Sequence, residues 1–190
     1  MTDRTPSNLN LPNAITIARI ALVPVFVVLL MQDGGAHGPL RWWAAIVFIV
    51  AIATDGIDGW IARSRGLVTE LGKLLDPIAD KALTGAAFIM LSILGELPWW
   101  ITILVLVREL GITVHRLMIV EDHVVAAAWM GKLKTVAQAV ALSLALLPFS
   151  AVLGEWVTVV NTVTMVVAVA LTLASGVDYV LTQLRHRVRP

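Results

Sequence analysis

The chain has 190 residues, 58% of them hydrophobic and only 14% charged, with 14 Lys+Arg against 13 Asp+Glu for a formal net charge of +1. A soluble domain is about 45–50% apolar and about 25% charged, so this composition excludes an ordinary water-soluble globule and points to an integral membrane protein with a single domain, 1–190. There is no cysteine, which excludes a disulfide framework and a thiolate-bound metal; any metal must be held by oxygen or imidazole.

A polar segment, 1–12, leads into an apolar stretch. Arg19 interrupts that stretch and no small-x-small cleavage site follows it, so it reads as a retained first helix and not as a signal peptide. Six apolar segments are predicted in chain order: Asn13–Met31, Arg41–Arg63, Asp76–Leu94, Trp99–Val120, Lys134–Leu153 and Val157–Leu184. Each is near the ~20 residues a helix needs to cross a bilayer, and helices are required because lipid cannot satisfy open backbone groups. The breaks carry loop chemistry: Asp33-Gly34-Gly35 with Gly38-Pro39, Arg63-Ser64-Arg65-Gly66, Gly95-Glu96-Leu97-Pro98, Glu121-Asp122-His123 and Gly154-Glu155. The expected fold is therefore all-α and polytopic, with six transmembrane helices. No internal repeat is evident, which weighs against an inverted-repeat transporter.

With both termini placed in the cytoplasm, the outer loops and helix ends hold only Arg41, and Arg108 lies mid-helix. The other cations fall on the inner side: Arg4, Arg19, Arg63, Arg65, Lys73, Lys81, Arg116, Lys132, Lys134, Arg185, Arg187 and Arg189. This is a positive-inside pattern, and Trp42, Trp43, Trp99, Trp100 and Trp156 supply an outer aromatic belt. The basic tail, 185–190, is expected to lie against anionic lipid.

The chemistry is concentrated in TDGIDGWIARSRGLVTELGKLLDPIAD, which carries Asp55, Asp58, Asp76 and Asp80. A charged side chain at a bilayer centre costs roughly 2.5–3.5 kcal/mol on insertion scales. Asp55 and Asp58 are three apart at the inner end of the second helix, and Asp76 and Asp80 four apart at the inner start of the third. Each pair lies on one helical face, and a short basic loop joins the two ends. Four clustered carboxylates repel unless cations sit between them, and hard oxygen donors suit Mg²⁺, Mn²⁺ or Ca²⁺. Gly56 and Gly59 allow a ligand or backbone to approach closely, Ala62 is small for the same reason, and Gly72 opens space before Asp76. Pro77 is expected early in the third helix, where a missing N–H is tolerated. Two other readings stand on the residues alone: the acids pair with Arg63, Lys73 and Lys81, or they line a proton or cation pathway.

The run reads Asp-x-x-Asp-Gly-x-x-Ala-Arg, eight residues, then Gly-x-x-x-Asp-x-x-x-Asp, fixed here by Asp55, Asp58, Gly59, Ala62, Arg63, Gly72, Asp76 and Asp80. It resembles the signature of the CDP-alcohol phosphatidyltransferase family at every fixed position, and that family's six-helix architecture matches the segment count. The resemblance implies transfer of a phosphatidyl group from CDP-diacylglycerol to an alcohol, with release of CMP. It implies two ions, Mg²⁺ or Mn²⁺, one held by Asp55, Asp58 and Asp76 and the other by Asp76 and Asp80, with Asp80 as general base on the acceptor hydroxyl. It also implies that Gly59, Arg63 and Thr69, beside Ala62 and Gly72, contact the CDP-diacylglycerol. Asn13, Thr16 and Arg19 would edge the same nucleotide site, since the first helix begins on the cytoplasmic face.

LPNAITIARI, LGKLLDPIADK, VRELGITVHR and GKLKTVAQ further resemble the members of that family that accept sn-glycerol 3-phosphate. A phosphorylated acceptor needs cationic partners, and the candidates are Arg108 and Lys134, then Arg116 and Lys132. His115 reads as a structural hydrogen-bonding group. The rivals are an inositol phosphate or phosphatidylglycerol acceptor within the family and, from another class, a divalent-cation or proton-coupled transporter. The resemblance also implies a homodimer in the cytoplasmic membrane of a bacterium, with the active site facing the cytoplasm, membrane lipid as a partner and no nucleic acid.

Overall fold

The computed structural model describes residues 10–64, 69–118 and 128–188, except for the side chains at 57–63, 70, 73–74, 116–118, 128 and 184–188. The described chain is entirely helical, as expected, with no strand among the described residues. It runs α1 (Leu11–Asp33), α2 (Pro39–Ser64), α3 (Glu70–Ile93), α4 (Trp99–Met118), α5 (Ala128–Leu146), α6 (Phe149–Leu153) and α7 (Trp156–Val188).

Several boundaries differ from the sequence reading for identifiable reasons. α1 starts two residues early because the Asn10 side chain caps it, accepting from the Asn13 N–H at 3.0 Å, with proline in the first turn. α3 starts at Glu70 and not at Asp76, because Thr69 caps it by accepting from the Gly72 N–H at 3.0 Å. Asp76 and Asp80 therefore lie in the second and third turns, and Pro77 sits in the helix interior, where it removes one backbone hydrogen bond. The segment predicted as Lys134–Leu153 is two helices, broken at Leu147-Pro148: a proline has no N–H to give and pushes the preceding residue out of helical geometry. α5 also begins earlier, at Ala128, so Lys132 and Lys134 are not at its start. α7 continues through Val188, so most of the expected tail is helical.

The chain forms two compact units, residues 1–94 with 146–148, and residues 95–145 with 149–190. In the first unit α1 packs along both α2 and α3. Ala44, Ala45 and Ala51 on α2 and Ala79 and Ala87 on α3 are fully buried, small residues of the kind that let membrane helices approach closely. Phe26 and Phe48 fill the seam, with ring centroids 5.6 Å apart. At the end of α1 Gly34 takes a left-handed conformation (φ 57°) and donates to the Leu30 carbonyl, while the Asp33 carboxylate accepts from the His37 and Gly38 N–H groups. Arg41 is fully buried, and its Nε donates to the Leu146 carbonyl at 2.9 Å.

In the second unit α7 packs on α4 and α6, and Gln138 Nε2 of α5 donates to Thr172 Oγ1 of α7 at 2.9 Å. Valines such as Val107, Val136, Val159 and Val166 stand outward and exposed, as side chains that face lipid do. Among the described residues three segments are long and apolar enough to cross a membrane, Leu11–Asp33, Pro39–Gly56 and Trp156–Gln183. The chain is an integral membrane protein.

Candidate active site

Asn13, Thr16 and Arg19 recur every three residues along one face of α1, and all three are buried. Each meets a different part of the α2–α3 pair. Asn13 Nδ2 donates to Thr69 Oγ1 at 2.8 Å, and the Thr69 hydroxyl lies 3.2 Å from Asn13 Oδ1. The Thr16 hydroxyl lies 2.9 Å from Asp76 Oδ1 and 3.1 Å from the Pro12 carbonyl. Arg19 Nη1 pairs with Asp55 Oδ1. Gly72 makes the first of these contacts possible: a Cβ there would stand 2.7 Å from Asn13 Oδ1 and 3.2 Å from Thr69 Oγ1. The space expected at Gly72 is thus filled by Asn13. At Gly56 a Cβ would meet nothing within 4 Å among the described residues.

Asp55 lies within electrostatic reach of both Asp76 and Asp80. The Asp55 and Asp80 side chains are 46% and 31% exposed, whereas that of Arg19 is 1% exposed. Lys81 Nζ stands 3.5 Å from Asp80 Oδ2 at the surface. Among the described residues Asp55 is thus backed by the buried Arg19 guanidinium, and the Asp55 and Asp80 side chains stay partly exposed. Their hard oxygens fit Mg²⁺ or Mn²⁺ in donor chemistry. Among the described residues no three His, Asp or Glu side chains are gathered at ligating spacing. The side chains of Asp58, Ala62 and Arg63 and the surroundings of Gly59 lie outside the described residues, as do residues 65–68.

The second unit holds a separate buried polar cluster. Glu109 Oε1 accepts from Arg108 Nη1 at 2.9 Å and from Lys134 Nζ at 2.5 Å. Arg108 Nη2 reaches Ser175 Oγ at 2.6 Å. The structure thus brings together Arg108 and Lys134, two of the four cations expected to serve the acceptor. Lys132 is exposed, and the Arg116 side chain lies outside the described residues. His115 Nδ1 lies 2.7 Å from the Tyr179 hydroxyl, with the rings edge to face.

The sequence profile of the CDP-alcohol phosphatidyltransferases matches residues 9–174. The chain belongs to the CDP-alcohol phosphatidyltransferase family. Within this family it is 49% identical over 176 residues to a protein of Mycobacterium tuberculosis named probable phosphatidylglycerophosphate synthase, covering 93% of this chain and 82% of that one. It is 43% identical over 173 residues to the CDP-diacylglycerol–glycerol-3-phosphate 3-phosphatidyltransferase of Bacillus subtilis, covering 81% of this chain and 90% of that one. The protein of the same name from Rickettsia bellii is 38% identical over 175 residues, covering 90% and 93%. The resemblance carried by the eight signature positions is borne out.

The sequence also allows Arg108 to be a structural partner of its neighbour Glu109, and that ion pair is present. What the sequence does not mark is that Glu109 also meets Lys134, 25 positions away. Ser175 lies 67 positions from Arg108 and leaves no local signal.

Proposed function

We propose that this chain transfers the phosphatidyl group of CDP-diacylglycerol to sn-glycerol 3-phosphate, giving phosphatidylglycerol phosphate and CMP. The new bond joins the acceptor oxygen to the lipid-bearing phosphorus, the pyrophosphate P–O bond to CMP breaks, and the acceptor hydroxyl proton goes to Asp80. One observation carries the reading: the eight signature positions fall on the helix pair in which Asp55 lies within electrostatic reach of Asp76 and Asp80. The names of the relatives support the choice of acceptor.

Asp55, Asp58 and Asp76 would hold one Mg²⁺ or Mn²⁺ ion, and Asp76 and Asp80 a second; the two would supply charge neutralisation for the pyrophosphate and the leaving CMP. Gly59, Ala62 and Arg63 bind the CDP-diacylglycerol head. Asn13, Thr16, Arg19, Thr69 and Gly72 act behind them: with the Thr69 hydroxyl engaged by Asn13 and by the Gly72 N–H, its part is to fix the wall of the site. Arg108 and Lys134 take the acceptor phosphate, with Arg116 and Lys132 drawing it in. Positioning and charge neutralisation are what phosphoryl-type transfer chiefly requires.

In this reading α1, α2, α3, α4, α5 with α6, and α7 make six spans, both termini and the acids face the cytoplasm of a bacterium, and two copies form a homodimer. At ~1.5 Å per residue, the 24, 20 and 19 residues of α3, α4 and α5 are long enough. Their charges lower their hydropathy and mark the polar face. Detergent-purified protein with CDP-diacylglycerol and a panel of glycerol 3-phosphate, inositol phosphate and phosphatidylglycerol tests the reaction. Divalent-ion-dependent CMP release with glycerol 3-phosphate is expected. Release only with another alcohol rejects the acceptor, and no release with any of them rejects the enzyme in favour of a transporter.

A further inference from the structure

We infer that Thr16 is a positioning residue for Asp76: its hydroxyl holds one oxygen of that carboxylate and so sets the plane in which Asp76 meets a divalent ion. The inference rests on the proposed reading of Asp76 as the carboxylate that two ions share.

Thr16 lies in the second turn of α1 and is 1% exposed. Its Oγ1 stands 2.9 Å from Asp76 Oδ1 on α3 and 3.1 Å from the Pro12 carbonyl, four residues back in its own helix. The hydroxyl has one proton for these two acceptors. The α-helical pattern already gives the Pro12 carbonyl the Thr16 N–H. An ionised carboxylate is the stronger acceptor, and a hydrogen bond to it is charge-assisted. The proton therefore goes to Asp76. The place of Oγ1 beside the Pro12 carbonyl marks the side-chain rotamer, one of the two open to threonine in a helix, and burial keeps it there.

Neighbours on the same face hold α1 in register with the acids. One turn earlier Asn13 is hydrogen-bonded to Thr69, the cap of α3, and one turn later Arg19 meets Asp55 of α2. The Thr16 hydroxyl is thus a fixed donor on a helix that packs along both α2 and α3. Asp76 is half-buried in the second turn of α3, and the terminal torsion of an aspartate is broad. Without a donor its carboxylate samples a range of planes, whereas a carboxylate shared by two ions needs one. The contact at Oδ1 removes that freedom before any ion arrives. Hydrogen-bond partners that stand behind a metal ligand typically carry about 10–100-fold in metal affinity.

The test is Mn²⁺ binding to the full-length, detergent-solubilised protein without substrates, followed by loss of the free-ion electron paramagnetic resonance signal. Thr16→Val keeps the size and the branch at Cβ but removes the donor. It is expected to weaken Mn²⁺ binding at least about tenfold, and Thr16→Ser, which keeps the donor, less than about threefold. Unchanged Mn²⁺ affinity in Thr16→Val overturns the inference. So does Thr16→Ser binding as weakly as Thr16→Val, since the methyl group and not the hydroxyl would then be the active part. Thr16→Ala also lacks the donor and is smaller than threonine, so it answers the question where Thr16→Val does not fold. Because Thr16 acts through Asp76, adding Thr16→Val to Asp76→Asn is expected to weaken Mn²⁺ no further than Asp76→Asn alone; additive losses mean a general structural role and overturn the inference. Asp76→Asn by itself tests the reading beneath it. If that variant leaves Mn²⁺ affinity unchanged, Asp76 is no ligand and the underlying reading fails; if it weakens Mn²⁺ and Thr16→Val does not, only the positioning role fails.

Discussion

The same substitution at two glycines of the acidic hairpin should have opposite effects. At Gly72 an added methyl group stands 2.7 Å from Asn13 Oδ1 and 3.2 Å from Thr69 Oγ1, inside a buried hydrogen-bonded pair that ties α1 to α3. Overpacking of a filled site costs about 1–3 kcal/mol, and displacing Asn13 from Thr69 costs about 1 kcal/mol more. Against this stands the helix preference for alanine, about 1 kcal/mol. The net for Gly72→Ala is a loss of about 2 kcal/mol, which for a chain of this length lowers Tm by about 4–8 °C. At Gly56 nothing among the described residues lies within 4 Å of the new methyl group, so Gly56→Ala retains the propensity gain and melts at or above wild type. Thermal unfolding in one detergent, followed by tryptophan fluorescence, measures both. Because the clash at Gly72 is with one side chain, Asn13→Ala combined with Gly72→Ala should cost less than the sum of the two single changes. Gly72→Ala melting at or above wild type, or Gly56→Ala falling as far as Gly72→Ala, refutes the reasoning.

Asp80→Asn should abolish metal-dependent CMP release while binding of CDP-diacylglycerol, measured by equilibrium titration, largely survives; loss of both together would make Asp80 chiefly a ligand. Arg41→Met leaves the buried Leu146 carbonyl without the Nε donor and should cost about 1–3 kcal/mol, read as a lower Tm with activity per folded molecule unchanged. Tyr179→Phe removes the 2.7 Å contact to His115 but keeps the edge-to-face ring packing. A loss of about 0.5–1.5 kcal/mol is expected, with acceptor KM unmoved; a raised KM would bring His115 into the subsite.

What the sequence made legible was whatever spacing alone can carry. The three- and four-residue intervals of Asp55, Asp58, Asp76 and Asp80 define faces, and the apolar runs define helices. Boundaries were lost where a local signal was outweighed by a longer pattern. Thr69 before Glu70 is a serviceable cap that falls in the gap between two segments drawn by hydropathy, and Pro148 a serviceable break that falls inside one. Partners across the fold were not legible at all. The three-residue rhythm of Asn13, Thr16 and Arg19 says that they share a face; it does not say that Arg19 meets Asp55, 36 positions away. That pairing depends on how α1 crosses α2, which small buried alanines decide and no local motif records.

The two clusters gather groups of different sign, which fits the proposed enzyme better than a single-ion transporter. Among the described residues, the first unit sets Asp55, Asp76 and Asp80 beside Arg19 and Lys81. The second sets Arg108 and Lys134 on the carboxylate of Glu109. A carrier of one cation needs an acidic cluster; an enzyme that activates a pyrophosphate through divalent ions and accepts a phosphorylated alcohol uses both. The two clusters should therefore respond to different ligands: divalent ions should protect the first unit's helices against proteolysis or thermal unfolding, and inorganic phosphate should do so through the second. If Lys134→Met and Asp76→Asn each abolished protection by both ligands, the clusters would not be the separate cation and anion sites that this reading requires.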